Sequence, residues 1–304
     1  MVYKSITALA PGACGELVQG SINGRDFLVT CPIDLWSRFS VFYTEHRDYL
    51  EQHKVFPKAA EAIHVVYEKK RAKVGKIGFI RESDIPIGKG MGSSTADIIA
   101  AYVATCGLLD IKITDVDEIA DVALAIEPSD GLMYPGICLF DHRKGLWREA
   151  LGDIPPLNVL IIDPGGEVDT LEFNAKKDLG VLNAKKEQEV VKALAYVREG
   201  IAEKDPEKIG RGTTISAKAN QEILFKPQLE DIIKLSKQFK AMGVNVAHSG
   251  TVIGILLAEI GVHVMEAAEY IQKKFPQFKI YTSKIISGGI RYNADDKKQA
   301  SPRG

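Results

Sequence analysis

The clearest chemical signal in the chain is a glycine-rich segment, PIGKGMGSSTA, at residues 86–96. Its three glycines alternate with other residues and are followed at once by Ser93, Ser94 and Thr95. The apolar side chains of residues 96–103 then recur at helical spacing. A glycine-rich turn that leads into a helix presents unpaired backbone N–H groups at the positive end of the helix dipole, where phosphate binds. We therefore predict a phosphate-binding loop; the alternative is a tight turn with a hydroxyl N-cap.

Three other segments carry side chains with useful chemistry. Residues 10–20, APGACGELVQG, contain Glu16 and Gln19, which can bind an ammonium or hydroxyl group. Residues 127–131, EPSDG, offer two carboxylates after a predicted helix, although they would also suit a helix stop followed by a turn. Residues 246–254, VAHSGTVIG, contain a histidine whose role is either structural or phosphate-binding.

In their order, these segments resemble the motifs of the GHMP kinase family, which includes galactokinase, homoserine kinase and mevalonate kinase. Residues 86–96 are similar to its P-x-x-x-G-L-G-S-S-A loop, with Met91 and Thr95 in place of leucine and alanine. Residues 10–20 resemble its A-P-G…G-E motif, and residues 246–254 match its C-terminal glycine-rich motif in part.

The resemblance implies an α+β protein with the GHMP kinase fold, in two lobes that enclose the active site. The N-terminal lobe, residues 1–165, is expected to resemble ribosomal protein S5 domain 2 and to carry the phosphate loop. A ferredoxin-like lobe, residues 166–292, is expected to follow it. Residues 293–304 are expected to form a flexible tail.

The resemblance also implies ATP and Mg²⁺ as cofactors and suggests roles for individual residues. Ser93 and Glu127 are expected to hold Mg²⁺, with Ser94 as the alternative to Ser93. Asp130 is expected to orient or deprotonate the accepting hydroxyl, and Lys89 joins it in the catalytic group. Phosphoryl transfer depends mostly on positioning and charge neutralisation, so a strong base is not required. The residues expected to bind the nucleotide are Pro86, Gly88, Lys89, Gly90, Met91, Gly92, Ser93, Ser94, Thr95, Ser249 and Gly250.

Two short segments narrow the resemblance to one branch of the family. The sequences CGELVQG at residues 14–20 and CPID at residues 31–34 resemble the branch that phosphorylates L-threonine for the aminopropanol linker of cobalamin. The implied reaction is ATP + L-threonine → ADP + O-phospho-L-threonine. The residues expected to bind this small-molecule substrate are Cys14, Gly15, Glu16, Gln19, Asp34 and Asp130.

An amino-acid acceptor requires an acidic partner for its ammonium and a cation or N–H groups for its carboxylate. Glu16 and Asp34 suit the first requirement. For the second, Arg25, Arg38 and backbone N–H groups near Gly15 stay open. Homoserine kinase is the alternative enzyme. A catalytically inactive family member that acts as a small-molecule sensor is the alternative from another class.

The composition agrees with an enzyme that acts on small molecules. A chain of 304 residues with 45% hydrophobic content can bury a full core, and a net charge of −1 gives no general attraction to nucleic acid or anionic membranes. The four cysteines include no C-x-x-C pair, and the longest apolar run, residues 252–258, is too short to span a bilayer. We expect a cytoplasmic protein without nucleic-acid or membrane partners; a homodimer is one expected assembly, and the oligomeric state is left open.

Periodicity predicts a first half rich in strands and a second half rich in helices. A four-residue stripe, Val190, Leu194, Val197 and Ile201, has the spacing of a helix that buries one face. Strands are predicted over residues 3–9, 26–30, 35–44, 76–80, 137–141, 145–149, 157–162, 252–257 and 279–282, and further helices over residues 58–70, 116–126, 206–221, 227–242 and 264–275.

Overall fold

The computed structural model describes residues 4–70, 76–166, 178–258 and 261–292. In chain order the elements are β1 (Ser5–Ile22), β2 (Arg25–Tyr43), α1 (Arg47–Val55), α2 (Pro57–Lys70), β3 (Ile77–Ser83), α3 (Ser93–Leu108), α4 (Val116–Ile126), β4 (Ile137–Phe140), β5 (Arg148–Gly152), β6 (Leu157–Asp163), α5 (Leu179–Glu203), α6 (Pro206–Ala219), α7 (Leu229–Ser236), β7 (Gly243–Val246), β8 (Ile253–Ala258), α8 (Gly261–Lys274), β9 (Lys279–Ile285) and β10 (Arg291–Tyr292). Short 3₁₀ turns follow α6 and α7.

The strongly periodic helices match their predictions, whereas three short or polar elements have no counterpart among them. Helix α4 has the predicted bounds, and the stripe from Val190 to Ile201 is buried on α5. The polar helix α1, the four-residue strand β7 and the two-residue strand β10 were not predicted, because none of them has an extended apolar pattern. The predicted tail, residues 293–304, and the start of the first predicted strand lie outside the described residues.

A long antiparallel hairpin of β1 and β2 forms the centre of the sheet. The two strands predicted over residues 26–30 and 35–44 are one strand, because Pro32 lies within the ladder, opposite Ala13, where β1 is irregular. A proline is tolerated at such a bulge because the ladder hydrogen bond is already interrupted there. The strand predicted over residues 145–149 lies three residues later, because the carboxylate of Asp141 binds the backbone N–H groups of residues 143, 144 and 146 in a turn.

All ten strands of the described ranges belong to one sheet, with the order β10-β1-β7-β8-β6-β9-β2-β4-β5 and with β3 paired to β2. The β7-β8-β6-β9 part joins the central hairpin through single residue pairs, Glu16 with Val246 and Ile33 with Ile285. Glu16 therefore lies where the two parts of the sheet meet. The larger core cluster extends from β1 to residues of α5, so it crosses the predicted division at residue 165, and that division stays a prediction.

Helix α3 is buried in the main core along most of its length, so the position of its N-terminus is fixed. Thirteen of its sixteen residues are buried, among them the small side chains of Ala100, Ala101 and Ala104, which permit close packing on β1 and β2. Burial of a large apolar side chain such as Ile98 or Ile99 contributes about 1.5–3 kcal/mol. The helix is therefore a rigid base for the loop that precedes it. Within the described ranges, no helix has both the length and the apolar character needed to cross a bilayer.

Candidate active site

The glycine-rich loop has a backbone shape that its three glycines make accessible. Gly88, Gly90 and Gly92 have φ angles of 74°, 75° and 68°, in the left-handed region where a side chain is disfavoured. Helix α3 begins at Ser93, directly after Gly92, and has no side-chain hydrogen bond at its N-cap. The first N–H groups of the helix are thus not covered by a hydroxyl cap, which favours the phosphate-loop interpretation over the capped-turn alternative.

A second glycine turn holds the loop in place from the other side. The backbone N–H of Thr251 donates to the carbonyl of Lys89 at 3.1 Å, and a Cβ on Gly250 would lie 2.3 Å from the Cα of Gly90. The buried ammonium of Lys226 donates to the carbonyl of Gly250 at 2.8 Å. Burial lowers the pKa of Lys226 to about 8. The loop is therefore fixed between α3 and the turn at residues 249–251.

The loop, the N-terminal end of α2 and the segment after α4 enclose a cavity of about 360 Å³. Its lining combines apolar side chains at the start of α2, hydroxyl and backbone groups of the loop, carboxyl groups and imidazoles. The lining residues are Glu16, Leu28, Val55, Phe56, Pro57, Lys58, Ala59, Ile87, Gly88, Gly90, Met91, Gly92, Ser93, Ser94, Thr95, Asp97, Glu127, Pro128, Ser129, Asp130, His142, His248 and Ser249.

Glu127 is the best candidate for a magnesium ligand, and its hydroxyl partner is Ser94. Its buried carboxylate accepts one hydrogen bond from the Ser94 hydroxyl and another from the Lys58 ammonium, at 2.5 Å. Ser93 also lines this cavity, but the hydroxyl that donates to Glu127 is that of Ser94. One or two protein oxygens plus phosphates suit Mg²⁺, so the Ser94 and Glu127 oxygens fit this ion. Within the described ranges, no cluster of three or more His, Cys, Asp or Glu side chains could hold a metal.

Two further carboxyl groups, Asp130 and Glu16, face the same cavity. Burial and the nearby charge of Glu127 raise the pKa of Asp130 to about 6. The Asp130 carboxylate also lies next to the start of α3, because a Cβ on Gly92 would be 3.1 Å from its Oδ2 atom. Burial and the charge of Asp130 raise the pKa of Glu16 well above its usual range, and Glu16 Oε2 has no hydrogen-bond partner within the described residues. An ammonium group brought to this place would compensate both carboxyls.

Two imidazoles form the remaining wall near the acidic pair. The rings of His142 and His248 meet edge to face, with centroids 4.9 Å apart. The Gln19 amide donates from Nε2 to the Val246 carbonyl at 3.1 Å, so its Oε1 faces His248 Nδ1 at 2.9 Å. This orientation puts the proton of a neutral His248 on Nδ1. Burial, followed by the positive charges of His142, Lys186 and other nearby cations, lowers the pKa of His248 well below its usual range.

The structure brings together the predicted residues Glu16, Ser93, Ser94, Glu127 and Asp130, along with most of the phosphate loop. The predicted residues that line no part of this cavity are Cys14, Gly15, Gln19, Asp34, Pro86, Lys89 and Gly250. Gln19 acts on the cavity through His248, and Gly250 supports the loop from behind.

Lys89 and Asp34 have other partners. The Lys89 ammonium donates to the Gly166 carbonyl at 2.6 Å and lies 3.6 Å from the Asp163 carboxylate, and its catalytic role stays a prediction. The exposed Asp34 carboxylate accepts a hydrogen bond from the Trp36 indole at 2.7 Å and lines no part of the cavity, so its role in substrate binding stays a prediction.

Cys14 and Gly15 contact residues of the neighbouring strand β7, and the two candidate arginines lie outside the cavity lining. The Cys14 thiol is buried 3.7 Å from the Asn245 amide oxygen, and burial raises its pKa. Gly15, at φ 55°, packs against Val246 so closely that a Cβ would lie 2.5 Å from the Val246 carbonyl carbon. Arg38 pairs with Glu82, and neither Arg38 nor Arg25 lines the cavity.

The sequence interpretation did not include Lys58 or His142. Lys58 lies in the first turn of α2, and His142 follows β4, each without a motif that would distinguish it from other lysines and histidines of the chain. Their positions in the cavity depend on contacts between segments far apart in the sequence.

Comparison with known proteins identifies the family of the chain. Residues 57–138 match the family model described as the GHMP kinases N terminal domain. An L-threonine kinase from Salmonella typhimurium is 29% identical over 93% of this chain and 94% of its own length. Another, from Citrobacter freundii, is 31% identical over 82% of this chain and 85% of its own length.

Solved structures share the fold over nearly the whole chain. Homoserine kinase from Cytophaga hutchinsonii superposes with a TM-score of 0.73 at 18% identity, covering 96% of this chain and 98% of that one. The complex of MDDEF with MVAPP, AMPPCP and magnesium has a TM-score of 0.69 at 15% identity, covering 96% and 99%.

The chain therefore belongs to the GHMP kinase family and has its α+β fold, as the motifs predicted. It is an enzyme, a kinase that phosphorylates an alcohol.

Proposed function

We propose that this kinase transfers the terminal phosphoryl group of ATP to the side-chain hydroxyl of L-threonine, giving O-phospho-L-threonine and ADP. The observation that carries the proposal is that the acidic pair Glu16 and Asp130 shares one cavity with the phosphate loop and the Ser94–Glu127 pair. The two relatives named L-threonine kinase, which align over most of the chain, support the same substrate.

The nucleotide phosphates would lie against the glycine-rich loop and the N-terminus of α3, where uncapped N–H groups accept negative charge. Ser94 and Glu127 would hold Mg²⁺, which when bound neutralises charge on the phosphate oxygens. Ser249 lines the cavity beside the loop, and Gly250 keeps the loop in position. Binding of the nucleotide phosphates would thus depend on groups that the fold holds in fixed positions.

The acceptor would lie with its hydroxyl towards Asp130 and its ammonium towards Glu16. Asp130 is next to the start of α3, so a hydroxyl that donates to it is directed at the phosphate site. With a pKa of about 6, Asp130 is mostly ionised at neutral pH and can accept that hydrogen bond. Glu16 Oε2 is the free acidic oxygen for the ammonium, and the His142–His248 wall, with cations behind it, suits the carboxylate.

Homoserine is the alternative acceptor, because it differs from threonine in the position of one carbon and such differences are worth about 1–3 kcal/mol in a pocket. The similarity in fold to a homoserine kinase leaves this alternative open. A catalytically inactive sensor is less favoured, since it would not need the Ser94–Glu127 pair or an acidic acceptor site.

The test is ADP release with MgATP and each of L-threonine, L-serine and L-homoserine, with the phosphorylated product identified by mass. We expect L-threonine to have a kcat/KM at least about tenfold above the other two. A preference for homoserine would change the proposed substrate and leave the proposed mechanism unchanged. An absence of turnover with all three, together with ATP binding, would refute the proposal in favour of another acceptor or a sensor.

The wider setting follows from the product. We propose that O-phospho-L-threonine from this enzyme supplies the aminopropanol linker of cobalamin. The cytoplasmic location and the homodimer stay predictions.

A further inference from the structure

The cavity has an unusual balance of charge for a site that must accept a polyphosphate. Four carboxyl groups, Glu16, Asp97, Glu127 and Asp130, line it, and Asp97 is already paired with Arg81 at 2.7 Å. Among the residues that the structure describes, Lys58 is the one lysine or arginine that lines it. The lysine of the loop, Lys89, is engaged with Asp163 and Gly166 and does not compensate this charge. Within the described ranges, Lys58 is thus the lysine that the cavity itself offers to a bound nucleotide.

Lys58 occupies a position from which its ammonium reaches the phosphate end of the cavity. Its Nζ atom lies 2.5 Å from Glu127 Oε2, while Glu127 Oε1 accepts from Ser94, the second residue of α3. One carboxylate group therefore separates the ammonium from the first turn of the phosphate-binding helix. The backbone of Lys58 is fixed at the start of α2, directly after Pro57.

The two partners of this ion pair differ in their freedom to move. The Lys58 side chain is 43% exposed and the Glu127 side chain 3%. A lysine has a flexible four-carbon stem and three donors, whereas Glu127 is enclosed by the fold. If a divalent cation takes the carboxylate, the buried Glu127 stays and the ammonium is the group that moves.

We propose that Lys58 is a phosphate-binding residue, which leaves Glu127 when a divalent cation occupies that carboxylate and then pairs with the terminal phosphate oxygens of the nucleotide. In the unliganded protein the same ammonium neutralises Glu127. This inference rests on one part of the proposed function, the binding of an adenine nucleotide. It does not depend on which acceptor is phosphorylated.

The test measures nucleotide binding rather than turnover. Dissociation constants of ATP and AMP would be measured by calorimetry, with Mg²⁺ and with EDTA, for the wild type and Lys58→Met. We expect Lys58→Met to weaken MgATP binding at least about tenfold, because the variant loses a charge-assisted hydrogen bond to phosphate. AMP lacks the terminal phosphates, so its binding is expected to change less than about twofold. Lys58→Arg is expected to retain most of the affinity, because arginine also pairs with phosphate.

A second background separates contact with phosphate from an indirect effect through Glu127. In Glu127→Gln protein the ion pair no longer exists, so Lys58→Met in that background with EDTA reports only on direct contact with the nucleotide. We expect it to weaken ATP binding there as well. Lys54→Met is the matched control, because Lys54 is an exposed lysine of α1 paired with Glu51.

Three results would overturn the inference: unchanged or tighter MgATP binding in Lys58→Met, equal losses for ATP and AMP, or no loss in the Glu127→Gln background. Should Lys58→Met not fold, Lys58→Gln gives the same comparison with a polar side chain. Wild-type protein that binds no adenine nucleotide would refute the proposed function itself. Nucleotide binding without phosphorylation of threonine would refute only the acceptor and leave this test valid.

Discussion

Replacement of Asp130 by asparagine should make the unliganded protein more stable and the enzyme less active. The fold holds the half-buried Asp130 carboxyl beside Glu127, where ionisation is unfavourable, and raises its pKa from 3.8 to about 6. Asparagine has nearly the same shape and no charge. The variant therefore removes the unfavourable ionisation while it also removes the acceptor for the substrate hydroxyl.

The size of the stability effect follows from the pKa. A rise of about two pKa units, at about 1.36 kcal/mol each, corresponds to about 3 kcal/mol by which the ionised carboxylate destabilises the native state. Because Asp130 and its acidic neighbours influence each other, we expect a measured gain of about 1–3 kcal/mol for Asp130→Asn at pH 8.

The sign of the pH dependence is fixed by the direction of the shift. A carboxyl whose pKa is raised on folding stabilises the native state fully below its ordinary pKa of 3.8, and that contribution is lost as the pH rises through about 6. The difference in the free energy of unfolding between the variant and the wild type should therefore be near zero below about pH 4. It should increase between about pH 4 and 6 and stay constant at higher pH.

Urea unfolding of both proteins without ligand, at a series of pH values from about 4 to 8, measures this difference. Asp84→Asn is the control, since Asp84 is exposed, and surface changes of this kind are usually within about 0.5 kcal/mol. The same preparations should show a kcat about 10²–10⁴-fold below wild type, if Asp130 takes part in proton transfer. A variant that is less stable than wild type at pH 8, or a difference that does not change with pH, would refute the reasoning. A small loss of kcat would make Asp130 a positioning residue.

Two further variants examine the acceptor site and the loop. Glu16→Gln should raise the KM of L-threonine at least about tenfold and leave the KM of ATP nearly unchanged, because a carboxylate binds ammonium more strongly than an amide does; steady-state kinetics that change only for ATP would contradict this assignment. Gly250→Ala should destabilise the protein by about 1–3 kcal/mol and weaken ATP binding, since its Cβ would lie 2.3 Å from Gly90 Cα. Gly180→Ala, in open space on α5, is its control, and equal unfolding and binding curves for the two alanine variants would contradict the predicted role of Gly250.

The sequence by itself determined the features that depend on neighbouring residues. Alternating glycines before a helix permit positive φ angles and provide no side chain to cap the first helix N–H groups, and the loop at residues 88–92 has this shape. The apolar stripe of α5 and the bounds of α4 were likewise predictable, because helix periodicity is a local property. The order of the motifs then indicated the family.

The tertiary structure alone decided which side chains meet in the cavity. Ser94 rather than Ser93 contacts Glu127, since the contact depends on how α3 faces a segment 33 residues later. Lys58 meets the same carboxylate from 69 residues away. Lys89 and Asp34 were predicted as site residues from their neighbours in the sequence, yet Lys89 contacts Asp163 and Gly166, and Asp34 contacts Trp36. Such contacts follow from the packing of distant elements, for which the sequence has no local signal.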